Sequence, residues 1–64
     1  MTKRFRLFRN IESNLHIDII DDVIEIECDY KSIDGFVTFK VTCKDEEYSY
    51  ITSRVENVIE FSLL

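Results

Sequence analysis

Apolar and polar residues alternate along most of this 64-residue chain, which is the period of side chains on a half-buried β-strand. Ile, Val, Phe, Tyr and Thr are abundant, and these residue types favour strands. Alanine, the best helix former, is absent. The alternation predicts six strands, at residues 4–8, 15–20, 23–30, 36–43, 48–52 and 58–63.

The same period predicts which side chains point into the core. In the first strand Phe5 and Leu7 share the inward face, and the opposite face carries Arg4, Arg6 and Phe8. In the later strands the predicted inward residues are Leu15, Ile17 and Ile19, then Ile24, Ile26 and Cys28, then Val37, Phe39, Val41 and Cys43.

The connection between the second and third strands can take more than one form. A two-residue hairpin turn at Asp21 and Asp22 would place Asp18 opposite Glu25, and like charges directly opposite each other are destabilising. Asp-Asp is also a poorer turn than Asp-Gly. A wider loop, or a bend within one long strand, removes the clash and remains an alternative to the hairpin. A helix through Ile11 at i, i+4 spacing is disfavoured by the dense β-branched residues.

The remaining connections carry turn signals. Residues 10–14 and 31–35 predict loops, and Gly35, the only glycine, predicts a backbone geometry that other residues resist. Residues 44–47 predict a four-residue hairpin loop. Ser53 and Glu56 have the spacing of a capping box, which predicts a single helical turn before the last strand.

Together these elements predict one all-β domain over residues 1–64, a small antiparallel barrel or curved sheet of five or six strands with one short helical turn. The element order resembles that of small SH3-like and Sm-like barrels, a resemblance of order alone that carries over no function. A chain of this length buries only about 60% of its unfolded surface. Self-association would offset that marginal core, so we expect a homodimer.

Charge is distributed unevenly along the chain. Residues 1–9 carry four basic and no acidic side chains, whereas residues 10–64 carry four basic and thirteen acidic ones. The charged N-terminus has no apolar signal core, and no apolar run approaches the roughly 20 residues of a membrane span. We therefore expect a cytoplasmic protein that does not bind membranes. The body of the chain should repel nucleic acid and attract basic surfaces.

An acidic segment is the strongest functional signal in the sequence. Between His16 and Tyr30 there are six carboxylates and no Lys or Arg. Alternate strand residues lie about 6.6–6.8 Å apart, close to the spacing of phosphates along DNA, about 6–7 Å through space. Such a ladder can imitate a row of phosphates. The alternative is a solvated sheet face, with Arg4 and Arg6 offsetting Glu25 and Glu27. The residues are Asp18, Asp21, Asp22, Glu25, Glu27 and Asp29.

The basic first strand supports a competing hypothesis. KRFRLFR interleaves basic and aromatic residues, as nucleic-acid-binding strands do, and points to Arg4, Arg6 and Phe8 as contacts. The segment 34–39 resembles part of the strand consensus of the RNA-recognition motif but lacks its leading basic residue. The alternative interpretation is an edge strand whose Lys and Arg discourage unwanted pairing.

Metal binding and catalysis have weak support. His16, Cys28 and Cys43 are ligand types, but the predicted register points His16 and Cys28 to opposite faces, so no metal or cofactor is expected. Cys28 and Cys43 are predicted to be small buried residues. No nucleophile pattern surrounds the single histidine, and a small β domain offers little cleft for a catalytic carboxylate, so we do not expect an enzyme.

The function hypothesis that follows is a small binding protein that docks an acidic β face onto the basic surface of a larger protein. Its composition lacks Ala, Gln, Pro and Trp and is rich in Lys, Asn and Ile, as in proteins from AT-rich genes. Acidity, size and composition together suggest a phage or mobile-element inhibitor that mimics DNA. The second hypothesis is an oligomeric Sm-like or SH3-like module that binds RNA or DNA through Arg4, Arg6 and Phe8.

Overall fold

The computed structural model describes residues 1–64 and consists of one five-stranded antiparallel sheet with a single 3-10 turn. The strands are β1 (Lys3–Ile11), β2 (Asn14–Lys31), β3 (Phe36–Cys43), β4 (Tyr48–Arg54) and β5 (Val58–Leu63), and the 3-10 turn is Val55–Asn57. Their order in the sheet is β4-β3-β2-β1-β5. The predicted all-β fold is confirmed, in the form of an open, curved sheet and not a closed barrel.

The most important departure from prediction is β2, a single strand of 18 residues. Its first half pairs with β1 and its second half pairs with β3. The predicted hairpin at Asp21 and Asp22 is wrong, and the alternative of a bend within one long strand is correct. The bend also removes the predicted clash, because Asp18 lies opposite Leu7 and Glu25 lies opposite Thr42.

Two irregularities produce this bend. The register between β1 and β2 shifts beside Val23, and the register between β2 and β3 shifts just after it. Asp22 lies within the first shift, between Ile20 and Val23, and adopts a positive φ of 61°, a conformation that Asp tolerates better than most residues. Each bulge adds twist and re-aims the strand. The two halves of β2 therefore run in different directions and serve different parts of the sheet.

The β1–β2 connection is tighter than the sequence suggested. Only Glu12 and Ser13 lie between the paired residues Ile11 and Asn14. Both have positive φ, 52° and 67°. Positive φ at both central residues defines a type I′ turn, whose twist matches that of the flanking strands. The predicted loop over residues 10–14 is therefore a two-residue hairpin.

The core lies on the concave face, where six hydrophobic side chains are buried. They are Phe5, Leu7, Val23, Val37, Phe39 and Val41. The Phe39 ring lies 5.6 Å from that of Phe5 and 4.9 Å from that of Phe61, centroid to centroid. Because β3 and β5 are not neighbours in the sheet, the Phe39–Phe61 contact shows how far the sheet curls. The predicted inward faces of β1 and β3 are confirmed for these residues.

The predicted inward face of the first half of β2 is wrong. Leu15, Ile17 and Ile19 are 62, 51 and 54% exposed. Ile20 and Asp18 lie opposite the buried Phe5 and Leu7, and directly paired residues share a face. Leu15, Ile17 and Ile19 therefore lie on the convex face. The predicted hairpin would have paired these residues with the inward side chains of the second half of β2, whereas pairing with β1 places them on the same face as Arg6 and Phe8.

The second half of the chain contains the turn predicted at Gly35 and the helical turn predicted before the last strand. Gly35 has a φ of 72°, and the Asp34 carboxylate accepts a hydrogen bond from the Phe36 amide at 3.1 Å. The helical turn is present as the 3-10 turn, but the predicted capping box is wrong. Ser53 donates its hydroxyl to the Arg54 carbonyl, and no side chain caps the turn.

We predict that Phe39→Ala removes a large part of the free energy of unfolding at 25 °C. Truncating a buried Phe costs about 3–5 kcal/mol, and a chain of this length has a total stability of about 3–10 kcal/mol. Urea denaturation followed by circular dichroism measures the loss. Ile33→Ala is the control, because Ile33 is 95% exposed in a turn and its truncation should leave the midpoint unchanged.

We also predict that Gly35→Ala lowers the free energy of unfolding by about 1 kcal/mol, the cost of a β-carbon in the left-handed region. No heavy atom lies within 4 Å of the position such a β-carbon would take, so the cost is that of the backbone alone. Gly35→Asn should lose less, since Asn tolerates this region. Equal losses for the two variants would contradict a backbone origin.

Candidate functional site: the convex acidic face

The convex face of the second half of β2 carries three carboxylates in a row, Glu25, Glu27 and Asp29, here called the acidic row. All three are exposed. The register places them opposite Thr42, Lys40 and Thr38 of β3, respectively. Those three residues in turn lie opposite Tyr48, Tyr50 and Thr52 of β4. The result is a small grid of side chains with carboxylates along one side and tyrosines along the other.

Lys40 is the one basic side chain within this grid, and it does not form an ion pair with Glu27. Its ammonium group lies 4.3 Å from the centroid of the Tyr48 ring, a cation–π contact. The ion pairs of the structure include none of the three carboxylates of the acidic row. The acidic row therefore presents its charge to solvent.

Two tyrosines lie across β3 from the acidic row. Tyr48 and Tyr50 are 56 and 65% exposed on the edge strand β4. Thr38 and Thr52 close one end of the grid with a hydrogen bond of 3.0 Å between their hydroxyls. Tyrosine is enriched at protein interfaces because it contributes contact area at low entropic cost. The face thus combines free negative charge with exposed aromatic area.

The structure does not bring the other three predicted carboxylates into this row. Asp18 lies on the concave face, opposite Leu7, and accepts a hydrogen bond from Arg9 at 2.7 Å. Asp21 pairs with Arg4 at 2.6 Å, and Asp22 lies 3.7 Å from the Lys44 ammonium. Asp18 therefore does not project from the outward face with Glu25, Glu27 and Asp29 as expected, and Asp21 and Asp22, expected at the end of that face, form ion pairs at the bend.

The pairing of Arg4 with Asp21 also corrects the expected charge balance. Arg4 and Arg6 do not offset Glu25 and Glu27, since β1 pairs only with the first half of β2. The hydrogen bond that Arg4 donates to the Asp21 carboxylate, reinforced by the charge of that carboxylate, raises the pKa of Arg4 above its usual value. Both side chains are more than half exposed, so the pair is screened by solvent. Arg4 is nevertheless less free to contact an external anion.

The residues of the competing hypothesis do share a face. Arg4, Arg6 and Phe8 alternate with the buried Phe5 and Leu7, so they project from the convex face of β1. β1 lies between β2 and β5, which makes it an interior strand and rules out the edge-strand interpretation. Glu60 lies opposite Phe8 and adds a negative charge beside them.

Residues with metal-ligand chemistry are dispersed. No three His, Cys, Asp or Glu side chains converge in a geometry that could hold a metal ion. Cys28 and Cys43 are both free thiols, paired across the sheet with Phe39 and Val23. Cys28 was expected to be buried, yet it is exposed on the concave face.

Sequence reasoning missed a shallow apolar groove on the concave face, with a volume of about 220 Å³. It lies where the curled sheet brings β3 and β5 together. Its location depends on the curvature of the sheet, so no local sequence signal could have revealed it. The groove is lined by Cys28, Tyr30, Val37, Phe39, Val55, Val58 and Phe61.

Comparison with known proteins gives no relative for this chain. No family model, curated protein or solved structure matches it. The structure also contains no helix with the length and apolar character needed to cross a membrane.

The two arginine–aspartate pairs should differ in their effect on stability. The Arg9 side chain is 15% exposed, so Arg9→Ala removes a partly buried hydrogen bond between two charged groups, Arg9 and Asp18. We expect a loss of about 1–2 kcal/mol in the free energy of unfolding. Arg4→Ala should produce no measurable change, because its pair is exposed. Urea midpoints of the two variants test this order, and a larger loss for Arg4→Ala would contradict it.

Proposed function

We propose that the protein is a non-enzymatic binding protein that docks its convex acidic face onto the basic surface of a larger, nucleic-acid-handling protein. The observation that carries this proposal is the acidic row, three exposed carboxylates at alternate positions of one strand with no ion pair. Maintaining three neighbouring like charges without compensation costs stability. A partner that supplies Lys and Arg side chains would turn that cost into binding energy.

The geometry of the row suits a surface that otherwise binds phosphate. Carboxylates on alternate strand residues lie about 6.6–6.8 Å apart, and phosphates along one DNA strand have a similar spacing, about 6–7 Å through space. Arginine side chains bind carboxylate and phosphate in the same bidentate manner. The mechanism is therefore competition, in which the row occupies arginine and lysine positions that would hold nucleic acid.

The tyrosines give the contact a second component. Tyr50 is exposed beside Lys40, and a guanidinium that reaches past the acidic row can stack on its ring. Charge alone gives rapid but unselective association, whereas aromatic contacts in a desolvated centre provide affinity. An inhibitor encoded by a phage or mobile element of a low-GC bacterium fits this chemistry and the composition of the chain.

Direct binding of RNA or DNA through Arg4, Arg6 and Phe8 has less support. Arg4 is paired with Asp21, and Glu60 contributes a negative charge next to Phe8. A gel-shift assay with single- and double-stranded probes separates the two functions. Retardation that disappears in the Arg4→Ala, Arg6→Ala variant would favour the nucleic-acid module over the proposal.

We predict that Glu25→Lys with Glu27→Lys abolishes partner capture. Tagged protein is incubated with nuclease-treated lysate of a low-GC bacterium, and bound proteins are eluted with a salt gradient. A basic nucleic-acid-binding protein should be retained by the unmodified chain and elute at moderate salt, because screening weakens exposed charge pairs. Duplex DNA added as a competitor should release the same protein.

The matched control is Glu56→Lys with Glu60→Lys, which changes the net charge equally on exposed residues outside the acidic row. It should retain the partner. If both double variants lose the partner, net charge and not the acidic row is responsible. If the Glu25, Glu27 variant still captures it, the row is not the interface.

A further inference from the structure

The first half of β2 has a free edge. β1 pairs with one side of it, from Asn14 to Val23, and β3 begins to pair with the other side only at Val23. The nearest loop contact to that other side is the hydrogen bond from the Lys44 amide to the Asp22 carbonyl. Along residues 15–19, here called the edge segment, the outer backbone groups therefore have no protein partner.

This edge carries few of the features that usually prevent pairing with another chain: its one inward-pointing charge is Asp18, which already accepts a hydrogen bond from Arg9. Exposed edges are commonly blunted by proline, by lysine or by being short. The edge segment contains none of these residues and has three exposed β-branched or branched side chains on its convex face, Leu15, Ile17 and Ile19. Its only ionisable residues, His16 and Asp18, project from the concave face.

The residue order of the edge segment is complementary to itself. In an antiparallel pair of two copies with the two-fold axis at Ile17, each Ile17 faces the other and Leu15 faces Ile19. The same register places His16 of each copy opposite Asp18 of the second copy. Apolar side chains therefore meet apolar ones on the convex face, and a basic group meets a carboxylate on the concave face.

Neighbouring registers lack this match. With the axis at Asp18, two carboxylates lie directly opposite each other, which is destabilising. With the axis at His16, two imidazoles face each other and Asp18 faces Asn14. Registers displaced by a single position along one strand would bring apolar side chains against the polar face. The sequence thus favours one arrangement.

We propose that two copies of the chain pair through residues 15–19 of β2 with the two-fold axis at Ile17, joining the two sheets into one continuous ten-stranded sheet. The Asp18 carboxylate already accepts a hydrogen bond from Arg9 of its own copy. His16 of the second copy gives that carboxylate a second partner. The inference does not depend on the proposed function. Glu25 lies eight residues beyond Ile17, so the two acidic rows are far apart compared with the Debye length of about 8 Å.

Ile17→Lys tests the proposal in solution. It places two ammonium groups opposite each other at the axis, so the dimer dissociation constant should rise by about 30-fold or more, as for a central interface residue. Sedimentation velocity over a range of concentrations measures it. Ile17 is half-exposed, so the monomer should still fold, and circular dichroism checks this. Ile59→Lys is the control, because Ile59 is 59% exposed on β5 and should leave the dimer unchanged.

Cysteine pairing tests the register itself in the Cys28→Ser, Cys43→Ser background. Directly opposite residues of an antiparallel pair have α-carbons about 4.5–5.5 Å apart, within the range of a disulfide. Ile17→Cys alone should therefore cross-link on mild oxidation. Leu15→Cys and Ile19→Cys should each fail alone and cross-link when mixed.

Three outcomes would overturn the proposal. The unmodified chain could sediment as a monomer at all concentrations. The dimer could survive Ile17→Lys and dissociate with Ile59→Lys, which would place the contact on β5. Cross-linking of Leu15→Cys alone, without cross-linking of Ile17→Cys, would show a different register. Because none of these measurements involves Glu25 or Glu27, failure here is distinguishable from failure of the proposed function.

Discussion

The bend in β2 is the constraint on which the rest of the structure depends. One strand of 18 residues serves as the partner of β1 in its first half and of β3 in its second half. Two register shifts and the positive φ of Asp22 allow that change of direction. The bend lets the concave face close around Phe39, whose ring touches both Phe5 and Phe61.

The same bend gives the convex face two chemically different halves. Leu15, Ile17 and Ile19 lie beside β1 with a free strand edge, and the acidic row lies beside β3 and the tyrosines of β4. Only eight of 64 residues are buried, and 14 large hydrophobic side chains are exposed. Small domains of this kind gain stability from association. The two proposed associations use one half each, the first half for a second copy and the second half for a basic partner.

Ion pairs between nearby residues neutralise part of the negative charge, and the fold decides which carboxylates are paired. Arg4, Arg9 and Lys44 each neutralise one aspartate in or near the first half of β2. The acidic row in the second half has no ion pair: Lys40, opposite Glu27, lies over Tyr48, and Lys31, two residues beyond Asp29, forms none either. Of the six carboxylates between His16 and Tyr30, three are therefore paired and three are free.

The sequence by itself determined the all-β class, strands β3 and β5, the loop at Gly35 and the buried faces of β1 and β3. These features follow from local alternation and turn chemistry. It also indicated the acidic excess. It left the bend at Asp22 as an alternative, since bulges and hairpins share the same local residues. Only the tertiary structure decided that Asp18 faces inward, that Ile17 faces solvent and that Lys40 leaves Glu27 unpaired. Those outcomes depend on register and on partners far away in the chain, which alternation cannot specify.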